Sequence, residues 1–246
     1  MPIKKEKQLL NKPLISVVMS VFNDEKNVTK AIESILNQTY QNIEFLIMDD
    51  SSTDLTFEKI NSFADKRVKL YRNETNLGLT KSLNILINYS MGEFIARQDS
   101  DDESSPDRLE KQFQFLEKKK LNACTTRALV KNSNRGIPLI SHLLPTKITM
   151  MYKNPFVHGT LLIQSEVMKK IGLYDEDFKY SQDYKLYRDL LNKNYTIKIM
   201  YKKLYLLNME SNISSKHKEQ QKRYFRLAKK SNFKKFKKKK GNFYEN

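Results

Sequence analysis

The chain has 246 residues, 39% of them hydrophobic and with 13 Tyr and 13 Phe, which is enough for a sizeable core and excludes a disordered polymer. Its one cysteine, Cys124, excludes an intrachain disulfide and a cysteine metal cluster and suits a reducing compartment. The net charge of +17 is uneven, because residues 216–246 hold 13 Lys and Arg against two Glu, or +11, leaving +6 for residues 1–215.

In chain order, the start MPIKKEKQLLNKP has no apolar leader segment, and no run nears the ~18 apolar residues that cross a bilayer. A soluble or peripheral protein on the cytoplasmic side is therefore expected. LISVVMSVF (14–22) is an apolar, β-branched run of strand length. DEKNVTKAIESILNQ (24–38) follows, with Val28, Ile32, Ile35 and Leu36 at helical spacing. IEFLIMDDSS (43–52) reads as a second buried strand that ends in acids. A helix around 54–64, a strand at 67–73, a helix at 79–90 and a strand at 92–99 come next. SPDRLEKQFQFLEKKK (105–120) opens a helix with Ser105 as its cap and Pro106 at its first position. This alternation predicts a parallel sheet with helices on both faces, since strands buried on both sides read as continuous apolar runs.

The second half is less regular. Strands are expected near 124–131 and 157–164, short helices at 165–171 and 182–193, and a strand at 195–208. The tail RYFRLAKKSNFKKFKKKKGNFYEN admits three readings. It is a solvated end, a contact to an anionic membrane through Lys, Phe233, Phe236, Phe243 and Tyr244, or a contact to nucleic acid.

In an open parallel sheet, ligands sit outside the carboxyl ends of the strands. Three such ends are polar here: Ser20, Asn23, Asp24 and Glu25; then Asp49, Asp50 and Asp54; then Asp99, Asp101 and Asp102 of RQDSDD. Acids crowded on one edge are poor ligands for an anion unless a divalent cation stands between. Residues i and i+2 of an extended chain point the same way, so Asp99 and Asp101 can face one hard cation. Mg²⁺ or Mn²⁺ is commonly held by one or two carboxylates plus substrate phosphates, which makes a metal–diphosphate the expected ligand. No GxGxxG or GxxxxGK[ST] loop occurs, excluding the common dinucleotide fold and P-loop enzymes. Each acid also has a capping reading: Asp102 or Ser105 for the helix that follows, Asp54 for the helix at 55–64.

PLISVVMSVFNDEKNVTKAIESILNQTYQNIEFLIMDDSSTD, followed by NETNLGLTKSLNILINYSMGEFIARQDSDD, resembles the nucleotide-sugar-binding half of family 2 glycosyltransferases of the GT-A fold. The likeness runs over about residues 13–208 and weakens beyond 130. It implies an α/β, Rossmann-like, mostly parallel central sheet over 1–215, with a donor-binding half (13–104) and an acceptor-binding half (105–215), then a basic helical or disordered tail (216–246). It implies metal-dependent (Mn²⁺ or Mg²⁺), inverting transfer of a hexosyl or N-acetylhexosaminyl group from a nucleotide diphosphate, typically UDP. The acceptor would be a glycan or lipid-linked glycan in the synthesis of a cell-surface polysaccharide such as lipopolysaccharide or capsule.

Carried over by position, Phe22 and Glu25 lie near ribose and base, Asp50 binds the uracil, and Asn76 and Gly78 sit beside it. Asp99 faces the ribose and, with Asp101, the metal; Arg97 either approaches phosphate or pairs with a neighbouring acid. His158 and Gly159 of VHGTLLI match an acceptor-side strand that relatives often write His-Pro, and His158 equally fits a packed core histidine. YSQDYKLYRDL matches Glu-Asp-Tyr-x-Leu and makes Asp183 the general base, with Gln182 where relatives carry Glu. Relatives often carry an Arg or His after the last strand; this chain departs from that pattern with LLNMESNISSKH, where a diphosphate contact would fall to His217 or Lys216. Two rivals remain. A nucleotidyltransferase predicts a glycine-rich basic loop after the first strand, which SVFNDEKN lacks, and a nucleic-acid-binding protein acting through the tail leaves the acidic strand ends unexplained.

Overall fold

The computed structural model describes residues 12–140, 143–209 and 218–230. Strands β1 (Ile15–Val21), β2 (Ile43–Asp49), β3 (Val68–Arg72) and β4 (Phe94–Arg97) run parallel in the order β3-β2-β1-β4. Along β1, Ile15, Val17, Met19 and Val21 join one core and Val18 the other, as the two-residue period of a strand requires. Helices α1 (Val28–Leu36), α2 (Thr56–Asn61) and, after β4, α4 (Arg108–Lys119) contribute Ile32, Ile60 and Leu116 to the first core. Helix α3 (Leu79–Tyr89) brings Leu83, Leu86 and Ile87 to the second. Both faces of the sheet are thus covered at β1, β2 and β4, which is why β1 and β2 read as mostly apolar runs, while edge strand β3 (VKLYR) stays partly exposed.

The other strands join in mixed directions. Beyond β4 the order continues β8 (Leu162–Gln164), β6 (Ala123–Val130), β9 (Ile197–Leu207) and β5 (Glu103–Ser104), with β7 (Gly136–Ile137) on β6. Only β6 and β9 are parallel there; β8, β7 and β5 pair antiparallel with their neighbours. Helices α5 (Thr146–Tyr152), α6 (Ser165–Ile171) and α7 (Gln182–Asn192) complete this half. Two-residue strands such as β5 and β7 carry no periodic signal, so neither was legible beforehand. The expected strand at 157–164 is split, with a 3-10 turn at His158–Thr160 ahead of β8. Neither Ser105 nor Asp102 caps α4: the Arg108 N–H donates to Ser105 O at 2.9 Å, so 105–107 form a turn and the helix starts two residues late.

Part of the basic tail belongs to the folded body. Helix α8 (Lys218–Lys230) lies on α7, with the Phe225 and Tyr184 rings 4.2 Å apart and Ala228 buried. Ser181 Oγ donates to Gln221 O at 3.1 Å and Arg188 to Lys229 O at 2.6 Å. Tyr224, Phe225 and Ala228 fall on one stripe of a helix, which gives it a face to bury. Lys216, His217 and the aromatics Phe233, Phe236, Phe243 and Tyr244 lie outside the described residues.

Candidate active site

The parallel register, with Val21 opposite Asp49 and Val18 opposite Arg97, brings the carboxyl ends of β1, β2 and β4 to one edge. The turn after β1 ties the other two ends together. Thr53 N–H donates to Asn23 Oδ1 at 2.8 Å, Leu55 N–H to Glu25 Oε2 at 3.1 Å, and Ser100 Oγ to Asp24 Oδ2 at 2.7 Å. Phe22 stands at the rim with 48% of its surface exposed. Asp54 takes the Thr56 N–H at 3.0 Å and the Glu25 N–H at 3.2 Å, so it caps α2 and braces the turn. Burial pushes the Asp54 pKa up, but these hydrogen bonds outweigh it and leave the carboxyl below its ordinary value.

Asp50 is buried, and three donors fill most of its acceptor capacity. Oδ1 accepts Asn73 Nδ2 at 2.7 Å and Leu77 N–H at 2.9 Å, and Oδ2 accepts Gly78 N–H at 2.8 Å. The acid thereby shapes the turn that precedes α3. Gly78, at φ 83°, holds a conformation that a side chain would strain. Asn76 lies exposed in the same turn. Neighbouring Asp49 is fully buried and paired with Arg72 Nε at 3.1 Å.

At the end of β4, Arg97 is fully buried. It donates to Val18 O at 3.0 Å and Gln98 O at 2.9 Å, and its remaining arm pairs with Asp99. Of its two expected roles the pairing is present: the buried guanidinium holds and orients Asp99. Asp99 N–H donates to Tyr205 Oη at 3.0 Å. Gly159 lies against the same pair, where an added Cβ would come within 2.3 Å of Tyr205 Oη and 2.5 Å of Asp99 Oδ2. Tyr205 reaches this place because β5, the continuation of the acidic loop, pairs Ser104 with it. Arg108, fully buried, donates to Arg97 O at 3.1 Å and lies 5.6 Å from the Tyr205 ring centre. Burial draws its pKa down to about 10, so it keeps its charge at neutral pH.

Asp101 is half-buried, while Asp102 is turned inward and accepts the Asn208 N–H at 2.7 Å. Burial first, then the charges of Asp99 and Asp101, push the Asp102 pKa up to about 9. It is therefore protonated at neutral pH, and stability drawn from holding that proton is lost as pH rises from the ordinary carboxylate range towards 9. Asp102→Asn keeps the acceptor oxygen and removes this titration. Its thermal midpoint, followed by circular dichroism, is expected to fall less than that of the wild type between pH 6 and pH 9.

Asp183 stands in the first turn of α7, half-buried, with Oδ2 accepting Asn154 Nδ2 at 2.6 Å and Oδ1 accepting Tyr184 N–H at 2.7 Å. Burial raises its pKa and the charge of Asp99 adds to the rise, against the lowering by its hydrogen bonds. His158 Nε2 lies 2.7 Å from Tyr174 Oη, and burial, helped by Arg97, holds its pKa at about 3. His158 is thus a neutral, packed imidazole. The charge of Asp99 is felt at Asp183, His158, Tyr174 and Tyr187, so these groups lie near one another beyond the end of β4. Tyr205, Arg108 and Asn154 were missed in the sequence. No local pattern links Tyr205 or Asn154 to an acid 106 or 29 residues away.

The exposed donors at the strand ends are carboxylate oxygens, the hard ligands that Mn²⁺ and Mg²⁺ take. Among the described residues no three His, Cys, Asp or Glu side chains converge on one point. An ion held by one or two carboxylates and completed by substrate phosphates needs no such cluster, and Asp99 and Asp101 are carboxylates of the kind that could hold it.

The chain is 31% identical over 183 residues to the Escherichia coli UDP-Glc:alpha-D-GlcNAc-diphosphoundecaprenol beta-1,3-glucosyltransferase WfgD, covering 74% of this chain and 71% of that protein. It is 36% identical over 167 residues to the glycosyltransferase EpsE of Bacillus subtilis, covering 66% of this chain and 60% of EpsE, so it spans about three fifths of that relative. The crystal structure of S. aureus TarS 1-349 in complex with UDP-GlcNAc shares the fold, with a TM-score of 0.73 at 22% identity over 87% of this chain and 65% of that one. Glycosyl transferase family 2 matches residues 16–196, well over half of the sequence, and the chain belongs to that family.

Proposed function

We propose that this protein transfers a hexosyl or N-acetylhexosaminyl group, with inversion, from a UDP-sugar to a glycan or lipid-linked glycan in cell-surface polysaccharide synthesis. The observation that carries this reading is the gathering of three acidic strand ends on one edge, with Asp99 electrostatically coupled to the half-buried Asp183. UDP-GlcNAc in the TarS complex and the diphosphoundecaprenol acceptor in the name of WfgD support the choice of donor and acceptor.

In this reading residues 13–104 take the donor and 105–215 the acceptor. The turn of Asn76 and Gly78, shaped by the buried Asp50, receives the uracil, and Phe22 and Glu25 border base and ribose. Asp99, oriented by Arg97, faces the ribose and with Asp101 would hold Mn²⁺ or Mg²⁺. The ion, when bound, neutralises charge that develops on the leaving diphosphate. Asp183 accepts the proton of the acceptor hydroxyl as its oxygen attacks the anomeric carbon and the bond to the diphosphate breaks. Gly159, lacking a side chain, keeps Asp99 in place, and His158 supports the acceptor wall through Tyr174. The exposed Lys222, Arg223, Arg226 and Lys229 of α8, continued by the lysines of the tail, support attachment at the anionic cytoplasmic face of a membrane.

Calorimetric titration of UDP, with and without Mn²⁺, on the wild type and Asp101→Ala tests the proposal. Metal is expected to tighten wild-type binding by about tenfold or more, and the variant is expected to lose that gain. If UDP binds neither protein under either condition, the donor assignment is wrong.

A further inference from the structure

Residues 118–165 hold eight Lys and Arg and no Asp or Glu. Within that stretch Ile140, Leu143, Leu144, Ile148, Met151 and Tyr152 are each more than half exposed. Helix α5 is anchored from behind: Thr149 and Met150 are buried, and Tyr184 Oη donates to Met150 O at 2.6 Å. Ile148, Met151 and Tyr152 therefore form a deliberate outward stripe at i, i+3 and i+4, flanked by exposed Lys147 and Lys153. Scattered apolar residues need no explanation on a protein surface, but a contiguous group of this kind marks an interaction face. Tyr184 also stacks on Phe225 of α8, whose other side shows Lys222, Arg223, Arg226 and Lys229. The apolar stripe and the cationic stripe are thus held by one tyrosine. Asn154, the ligand of Asp183, follows α5 by two residues, so the apolar segment leads directly to the base.

We propose that residues 139–140 and 143–152 form a wedge that seats in the interfacial layer of an anionic lipid bilayer, with Lys147, Lys153 and the cationic face of α8 against the headgroups. Charge selects this occupant. Two copies of a face whose exposed charges are Lys147, Lys153, Lys222, Arg223, Arg226 and Lys229 against Glu219 repel each other, and a nucleic acid offers nothing for six apolar side chains to enter, whereas a bilayer interface satisfies both sets. The wedge rests on the glycosyl-transfer reading only for its use, which is to hold the base next to a lipid-linked acceptor.

The test is sedimentation of the full chain, without donor, on vesicles of phosphatidylcholine alone and with phosphatidylglycerol added. The wild type is expected to partition onto the anionic vesicles, Ile148→Asp/Met151→Asp to lose about tenfold or more of that partitioning, and Lys222→Glu/Arg226→Glu to lose the preference for phosphatidylglycerol. Both variants alter exposed positions, and an unchanged thermal midpoint and UDP affinity in the same samples show that the fold and donor site are intact. Wild-type partitioning by Ile148→Asp/Met151→Asp overturns the wedge. So does a wild type that ignores anionic vesicles, whether it forms a dimer that this variant dissociates or binds RNA instead. Loss of UDP binding by the wild type strikes the donor reading and leaves the vesicle result standing.

Discussion

Asp183→Asn is expected to lower sugar transfer by about 10²–10⁴-fold, the usual worth of a positioned general base, while UDP affinity stays unchanged. The substitution keeps the shape and the oxygen that receives the Tyr184 N–H. It also turns a hydrogen-bond donor towards Asn154 Nδ2, which cannot accept it. Flipping the Asn154 amide would remedy this only by giving up the bond from Phe156 N–H to Asn154 Oδ1, at 3.1 Å. A stability loss of about 1–3 kcal/mol accompanies the catalytic one. Initial rates with a UDP-sugar, beside calorimetric UDP binding, separate the two effects. An equal loss of both would make Asp183 a structural residue, and a variant as active as the wild type would remove it from the mechanism.

The same carboxyl sets a pH dependence. Burial raises its pKa, with the Asp99 charge adding to the rise, and only the ionised form accepts a proton. The acid limb of the transfer rate is therefore displaced above the ordinary carboxylate value. For stability the sign is opposite. A raised carboxyl pKa means that the folded state holds the proton more tightly than the unfolded chain, so this group favours folding at acid pH and does so less as pH rises through its folded pKa.

Gly159→Ala is expected to weaken metal-dependent UDP binding by about tenfold or more and to cost about 1–3 kcal/mol of stability, read as a fall of roughly 2–10 °C in Tm. The added methyl meets Tyr205 Oη at 2.3 Å and Asp99 Oδ2 at 2.5 Å, and neither neighbour is free to leave. Tyr205 is buried beside Arg108, and Asp99 is paired with buried Arg97. The displacement falls on the carboxylate proposed for ribose and metal. Wild-type UDP affinity in a folded Gly159→Ala protein would contradict the place assigned to Asp99. Gly78→Ala provides the contrast, since no atom lies within 4 Å of its added Cβ and any cost arises from the backbone at φ 83°.

Local chemistry announces much of this architecture. LISVVMSVF and IEFLIMDD became β1 and β2 because continuous β-branched runs are stable only when both faces are buried, and the acids that end them mark where apolar cover stops. Asp54 behaves as the cap its position suggested, because an Asx cap reaches only two residues along the chain. Other expectations had no such local basis. SPDRL looks like a helix start, yet tertiary bonds to 105–107 delay it: Gln38 Nε2 donates to Ser105 O at 2.7 Å and Thr39 N–H to Pro106 O at 2.8 Å. Helix α8 was read as tail because its charges dominate its composition, although Phe225 and Ala228 give it a face that α7 can bury.

By itself, the sequence determined the alternation of strands and helices, the parallel first half and the acids at its strand ends. These follow from periodicity and from the rule that ligands gather at carboxyl ends. Only the tertiary structure decided what each acid does. It buries Asp102 with its proton, pairs Asp99 with Arg97, surrounds Asp50 with the Asn73 amide and two backbone N–H groups and sets Tyr205 against Gly159. The reason is range: a side chain's charge state and partners depend on burial and on groups brought from 100 residues away, which leave no mark in the residues beside it.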